Sequence, residues 1–315
     1  MRTVSLGQTD LQVAQIAFGC MSLTADRRDA GYQAVARALE LGINFFDTAD
    51  VYGRGDSEVI LGEALRRAAV PRDQVVIASK CGIVFQGMNP DYTYKAYDLS
   101  AAYIKRSCEA SLQRLGMEYL DLYQPHRADY LTHPEETARA LDDLIREGKV
   151  RHAGVSNHTV DEIRALSASI RLESLQTQFS LLHLEPLETG LTSVCVEKNM
   201  AMLCYSPLHK AALTGKIRTT HDNWQLQREA GVVAQLGELA AAYGVTLTQF
   251  ALAWLIQLPG SVIPLVGTAN AEHIAEAAAA TDVTLARDDW YEAMVIGRGR
   301  PMPWGQRPYL YTKER

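Results

Sequence analysis

Four side chains of this 315-residue sequence can be combined into one piece of acid–base chemistry: Asp47, Tyr52, Lys80 and His126. Asp47 and Tyr52 lie in Phe45-Phe46-Asp47-Thr48-Ala49-Asp50-Val51-Tyr52-Gly53, Lys80 follows the apolar run 75–79, and His126 comes just after the run 120–124. Each run reads as a short buried strand, so all four residues sit at or just past a strand end. A lysine in such a place is costly unless paired, and Asp47 can pair with Lys80. A cation beside Tyr52 is expected to lower its phenol pKa from about 10 toward neutral pH. A phenol so tuned can exchange a proton with a carbonyl oxygen, which His126 can orient by a hydrogen bond. Taken singly, a strand-end histidine and an Asp–Lys pair are ordinary structural features; their joint placement points to chemistry.

The elements that must position these groups alternate along the chain. Apolar runs occur at 16–18, 44–47, 75–79, 120–124, 151–155, 175–178, 202–205 and 262–265. Between them lie segments of helical period, such as Tyr32, Val35, Ala36, Leu39, then Ile104, Cys108, Ser111, Leu112, Leu115, then Ala138, Leu141, Leu144, Ile145. Strand and helix alternating eight times predict a parallel α/β sheet closed into a (β/α)8 TIM barrel, whose strand C-termini and following loops form the active face. Val4-Ser5-Leu6 and Leu11-Gln12-Val13 around Gly7-Gln8-Thr9-Asp10 predict an N-terminal β-hairpin over residues 1–13. Composition does not shift along the chain, and the expectation is one domain over 1–315. The segments 81–99 and 206–228 are too long for plain connectors and read as functional loops at the C-terminal face. The tail 297–315, rich in Arg, Pro and aromatics, has no period; folding back over a site and lying on the surface are both open to it.

Composition narrows the partners. With 47% apolar residues, 22 Gly and 11 Pro, the chain is neither disordered nor collagen-like. A net charge of −6 argues against a nucleic-acid footprint. Five cysteines without a CxxC predict neither a disulfide framework nor a zinc knuckle, but reduced thiols in a cytoplasmic protein. The start Met1-Arg2-Thr3-Val4-Ser5-Leu6-Gly7 has no apolar leader core, and no unbroken apolar stretch is long enough to span a membrane. A small-molecule substrate is therefore expected, with no metal, nucleic acid or membrane partner; the oligomeric state is left open.

Over essentially its whole length the sequence resembles the aldo-keto reductases. The resemblance rests on Phe45 to Gly53, Ser79-Lys80, His126, Gly148-Lys149-Val150-Arg151-His152-Ala153-Gly154-Val155-Ser156-Asn157, Tyr205-Ser206-Pro207-Leu208 and Leu213-Thr214-Gly215-Lys216. It implies an NAD(P)(H)-dependent carbonyl reductase on an eight-stranded barrel. Tyr52 would be the general acid, Lys80 and Asp47 its tuning pair, and His126 the carbonyl-orienting group. Hydride would pass directly from nicotinamide to the carbonyl carbon, without metal.

By the same resemblance Cys20 and Met21 would touch cofactor and substrate, with Asp47 beside them. Ser156, Asn157 and Gln178 would hold the carboxamide and Tyr205 would stack on the nicotinamide. Ser206, Pro207, Leu208 and Lys216 would lie along the pyrophosphate. Gly267-Thr268-Ala269-Asn270, His273 and Glu276 would form the adenosine-phosphate segment. That last segment also makes sense unaided, because a strand running into a helix near Ala271 leaves backbone N–H groups suited to a phosphate. Asn270 itself reads as the helix N-cap. The adenosine segment carries no Arg, and Ala277 stands where the family often has Asn; His209 and Lys210 are unusual additions that bring donors near the phosphates. NADP(H) is favoured, with NAD(H) as the alternative.

Arg127, directly after His126, offers a fixed fork suited to a carboxylate, a phosphate or sugar hydroxyls; the alternative is an ion pair with Asp129. Met21, Phe85, Met88, Trp224 and Trp304 fall on expected rim segments, where they would frame a pocket or pack the loops. The leading expectation is an aldehyde or ketone reductase, sugars and keto-sugars among its substrates. The alternatives are an NAD-linked sugar dehydrogenase working oxidatively and a nucleotide-sensing binding module of the kind found in potassium-channel β subunits. The intact Asp47, Tyr52, Lys80 and His126 favour turnover.

Overall fold

The computed structural model describes residues 1–85, 94–215 and 224–300, with residues 224–228 as backbone only. The strands are β1 (Thr3–Ser5), β2 (Gln12–Ala14), β3 (Ala17–Gly19), β4 (Phe45–Asp47), β5 (Val76–Cys81), β6 (Ile83–Val84), β7 (Ala96–Tyr97), β8 (Leu120–Pro125), β9 (Val150–Ala153), β10 (Val155–Ser156), β11 (Ser174–Gln178), β12 (Ala201–Tyr205) and β13 (Val262–Val266). The helices are α1 (Arg28–Glu40), α2 (Asp56–Arg67), α3 (Ala101–Leu115), α4 (Pro134–Arg146), α5 (Val160–Ser167), α6 (Glu185–Glu188), α7 (Leu191–Glu197), α8 (Trp224–Ala242), α9 (Leu247–Ile256), α10 (Ala271–Ala279) and α11 (Arg287–Arg298).

The main sheet is parallel, in the order β10-β11-β12-β13-β3-β4-β5-β8-β9. β9 and β10 are one path broken only at Gly154; β9 pairs with β8 and β10 with β11, which closes the sheet as a (β/α)8 barrel. Glycine is required at this seam, because a Cβ on Gly154 would stand 2.1 Å from Ser174 Oγ.

Strand alternation then places the site. Ala17, Phe45, Val76, Ala78, Leu122, Ala201, Leu203, Ile263 and Leu265 form one buried cluster with Leu6, Leu11 and Val13 of the β1–β2 hairpin. These are the inward positions, and the hairpin plugs one end of the barrel, as residues 1–13 were expected to pair. Two residues further along each strand, the same inward face carries Asp47, Lys80, Gln124 and Tyr205. The interior therefore turns from apolar to polar toward the C-terminal mouth. Outward residues such as Phe18, Phe46 and Ile77 pack under the helices, where Ile104, Cys108, Leu112 and Leu115 of α3 and Ala138, Leu141 and Leu144 of α4 are buried as their spacing predicts.

Three readings of the sequence need correction. The segment 81–99 is not all loop: Ile83 pairs with Tyr97 and Val84 with Ala96, a short ribbon in which three of the four residues are β-branched or aromatic. The segment 206–228 ends early, because Trp224 opens α8 rather than lying on a rim loop; the strong helix formers Gln225, Leu226, Gln227, Arg228, Glu229 and Ala230 follow it. The tail reading at 297 starts inside α11, which runs to Arg298; both Arg298 and Arg300 bond Glu188, at 2.9 and 2.7 Å. Met88, Lys216 and Trp304 lie outside the described residues. No single helix among the described residues is long and apolar enough to cross a membrane.

Candidate active site

The mouth brings Asp47, Tyr52, Lys80 and His126 together. Lys80 is fully buried, and its ammonium donates to Asp47 Oδ2 at 2.8 Å, to the Thr48 carbonyl at 2.6 Å and to Tyr52 Oη at 3.4 Å. Its three N–H bonds are thereby used. The Tyr52 ring meets His126 edge-on at 5.8 Å between centroids. Tyr52 opens a tight turn, Tyr52–Gly55, in which Gly53, Arg54 and Gly55 have φ of 57°, 57° and 99°. That left-handed stretch folds the chain sharply back into α2 and leaves the phenol beside the inward-facing Lys80. His126 follows β8 directly, its amide on the Cys81 carbonyl at 2.8 Å.

The electrostatics differ from the expectation in one respect. Burial works against the Lys80 ammonium, but Asp47 and Tyr52 more than reverse it, so its pKa stands above that of a free lysine. Burial also raises Asp47, with Lys80 and Gln176 pulling it back. Tyr52 is raised, not lowered: desolvation of the phenolate outweighs the Lys80 cation. The phenol therefore keeps its proton at neutral pH. His126 is pushed down to about 2 by burial first, then by Lys80 and Arg127, so its imidazole is neutral.

The other expected residues gather on the same face. The Asn157 amide donates to Ser156 Oγ at 2.8 Å and to the His126 carbonyl at 3.2 Å, and accepts from Tyr205 Oη at 2.9 Å. Asn157 has φ 56°, a left-handed conformation that Asn tolerates. Gln178 is the ladder partner of Tyr205. Cys20 is buried and its carbonyl accepts from Ser57 Oγ at 2.8 Å; Met21 beside it is 68% exposed at the rim. Beyond Tyr205, Ser206 and the successive residues His209, Lys210 and Ala211 all have positive φ, around the buried Pro207 and half-buried Leu208. Gly267 lies against β3, where a Cβ would come 3.1 Å from the Gly19 carbonyl. Asn270 caps α10, accepting from Glu272 N at 2.8 Å as expected; Ala269 is half-buried, and His273 and Glu276 share one face of that helix. Phe85 is half-buried with the Lys95 ammonium 5.5 Å from its ring centre.

Arg127 is not paired with Asp129. The Asp129 carboxylate accepts instead from the amides of Leu99 and Leu131 and from Thr132 Oγ1, at 2.9, 3.0 and 2.6 Å. Arg127 is exposed at the mouth, close enough to Tyr205 and His126 for its charge to lower the pKa of both.

Sequence reasoning does not single out Gln176. It is buried, its Nε2 has no partner, and it lies close enough to Asp47 to lower that carboxyl. The available signal is alternation: Gln176 shares its strand face with Gln178. Glu58 is the second omission. It takes Ser79 Oγ and Arg114 Nε, both at 2.6 Å, and so anchors the start of α2 behind the Tyr52 turn.

Comparison with known proteins identifies the family. The Aldo/keto reductase family is matched over residues 15–294. The chain is 36% identical over 308 residues to a 6-dehydroglucose reductase of Novosphingobium aromaticivorans, covering 95% of this chain and 96% of that protein. It is 31% identical to an NADH-specific methylglyoxal reductase of Escherichia coli, covering 92% and 96% respectively. A glycerol dehydrogenase from Gluconobacter oxydans superposes with a TM-score of 0.84 at 26% identity, covering 97% of this chain and 98% of that one. By sequence and by fold, the chain belongs to the aldo/keto reductase family and is an NAD(P)H-dependent oxidoreductase.

Proposed function

We propose that the protein reduces an aldehyde or ketone on a small polyhydroxylated molecule, a sugar or keto-sugar, with Tyr52 as the proton donor. The observation that carries this reading is the buried contact of Lys80 with both Asp47 and Tyr52, beside a histidine that is neutral. A neutral His126 has no surplus proton to give but can hold a carbonyl oxygen by a hydrogen bond. Tyr52 keeps its proton and faces the same point. As negative charge grows on that oxygen, Tyr52 passes its proton on and the Lys80 ammonium stabilises the phenolate left behind. Asp47 keeps Lys80 charged and fixed.

The mouth fits a nicotinamide. Tyr205 offers a half-buried ring, Gln176 a buried and unpartnered Nε2, and Ser156, Asn157 and Gln178 further amide and hydroxyl groups. When bound, this group supplies the hydride. The left-handed residues His209, Lys210 and Ala211 are non-glycine, and each carries a conformational cost of about 1–2 kcal/mol. Strain of this kind collects at ligand-binding segments and supports placing the phosphates there. The stretch Gly267–Glu276 holds neither Lys nor Arg and offers only His273 as a potential cation. NADPH is therefore expected to bind more tightly than NADH by only about tenfold, roughly 1.4 kcal/mol. Titrating each cofactor by quenching of protein fluorescence measures the ratio; a preference above about a thousandfold would mean that Lys210 or Arg228 grips the 2′-phosphate.

The polyhydroxylated substrate is supported by Arg127, which has no carboxylate partner among the described residues, and by the relative named as a 6-dehydroglucose reductase. Arg127→Ala should raise KM about tenfold for anionic or polyhydroxy substrates while leaving kcat and cofactor affinity unchanged, the signature of lost uniform binding. An unchanged KM across a substrate panel would make Arg127 a support for Tyr205 alone. The deciding experiment is a turnover screen of aldehydes, ketones and sugars with each cofactor, run in both directions, because a structural neighbour is named as a dehydrogenase. Absence of carbonyl reduction, with oxidation of a sugar by NAD, would replace this reading by the oxidative one. A cytoplasmic place accompanies the proposal, since all five cysteines are free and buried.

A further inference from the structure

Asp50 lies two residues before Tyr52 and makes none of the Lys80 ammonium's bonds. It is 2% exposed. Its amide donates to the Lys80 carbonyl at 3.2 Å, extending a ladder begun by Thr48 N on the Ala78 carbonyl at 2.9 Å. Its carboxyl points the other way, away from the mouth, where Oδ2 accepts from Ser107 Oγ of α3 at 2.8 Å. Oδ1 is buried without a partner. The next backbone bonds, Tyr52 N to Ala49 O and Arg54 N to Val51 O, are internal to the turn. One residue thus ties the strand of Lys80, the turn of Tyr52 and helix α3 together.

We propose that Asp50 is a positioning residue for proton transfer, its carboxyl setting where the turn holds Tyr52 against Lys80, and setting it differently when charged and when neutral. The inference rests on Tyr52 being the proton donor. The link runs through Val51, the single residue between Asp50 and Tyr52, because Oδ1 has no donor of its own and the chain next to it is the turn that carries the phenol. A buried carboxylate with a single hydroxyl donor is costly, and drawing the Val51 N–H onto it is the local way to lower that cost. The groups facing Asp50 are Glu58 of α2, Ser107, Tyr103 and Arg114 of α3, Cys81 of β5 and Tyr123 of β8. Burial pushes the carboxyl up, Ser107 and Arg114 lower it in part, Glu58 adds to the rise, and it stands at about 7. Tyr103, Cys81 and Tyr123 are themselves raised by burial and stay neutral where Asp50 titrates.

The test uses three versions of the full chain: wild type, Asp50→Asn and Ser107→Ala. The readouts are kcat against pH at saturating cofactor and substrate, and an ultraviolet titration of the Tyr52 phenol taken as the difference from Tyr52→Phe. Wild type should show a change in kcat of about threefold or more, centred near pH 7. Asp50→Asn keeps the shape and the Ser107 bond but cannot ionise; it should lose that inflection and hold kcat at the value wild type has on its acid side. Ser107→Ala, which removes a group that lowers the carboxyl's pKa, should move the inflection upward. The Tyr52 titration should shift in Asp50→Asn relative to wild type. An inflection that persists unchanged in Asp50→Asn, a wild-type profile that is flat through pH 7, or a Tyr52 titration indifferent to Asp50 would each reduce Asp50 to a fold-stabilising contact. Should Asp50→Asn not fold, the direction of the Ser107→Ala shift decides in its place. Should Tyr52→Phe prove fully active, the reading of Tyr52 has failed, and this is seen without any Asp50 variant.

Discussion

Replacing Tyr52 by Phe is expected to lower kcat by about 10²–10⁴-fold, the usual worth of a general acid, with cofactor affinity nearly unchanged. The substitution deletes one hydroxyl and keeps the ring that meets His126 edge-on, so the shape of the mouth is preserved. Two candidates could supply the proton, and their environments separate them. His126, at about 2, is neutral throughout the working range and has no second proton to spare. Tyr52 is raised above an ordinary tyrosine by burial and is fully protonated there, with Lys80 beside it to receive the charge it leaves. The measurement is kcat on an aldehyde, with a deuterium isotope effect showing that hydride transfer limits the rate. Retention of more than about a tenth of wild-type kcat under that condition would fall outside the range for a lost general acid and make another group the donor.

Much of this was legible in the sequence because two periods coincide with two physical constraints. Period-2 alternation from Phe45 to Asp47 and from Val76 through Ala78 to Lys80 puts charged groups on the inward face at the strand ends, and a buried lysine demands a carboxylate. The strand limits agree to within one or two residues, since buried β-strands read as apolar blocks. Three features were not legible. The direction of the Tyr52 shift depends on how deeply the ring sits, which alternation does not report. The partner of Arg127 depends on loop geometry: Asp129, two residues away in sequence, is claimed by the Leu99 and Leu131 amides. The β6–β7 ribbon pairs two residues with two across a long connection, too short a match to stand out from its surroundings. Asp50 stands inside the motif, where the sequence alone does not separate it from a turn residue; its bond to Ser107 of α3 is a tertiary contact.

Lys80→Met should damage both folding and chemistry, and the two losses can be separated. The side chain is fully buried, and its loss leaves the Asp47 carboxyl, 3% exposed, with Gln176 as the polar neighbour. Breaking a buried pair from one side costs about 3–5 kcal/mol, because the surviving charge is uncompensated. The cost depends on pH, and its sign follows from Asp47. Burial already raises that carboxyl, and without Lys80 nothing of comparable strength opposes the rise. A folded-state pKa above the unfolded value means that the native state binds the extra proton, so stability falls as pH rises from the unfolded carboxylate value toward the folded one. The gap between wild type and Lys80→Met in urea unfolding should therefore widen with rising pH through the weakly acidic range. Adding Asp47→Asn to Lys80→Met removes the stranded charge and should recover most of the lost stability. It should not recover turnover, because Tyr52 would still have to form a phenolate in a buried site with no cation beside it, and kcat should stay about 10²-fold or more below wild type. Were the double variant to regain both stability and activity, Lys80 would serve only to neutralise Asp47, and its 3.4 Å approach to Tyr52 Oη would have no part in the reaction.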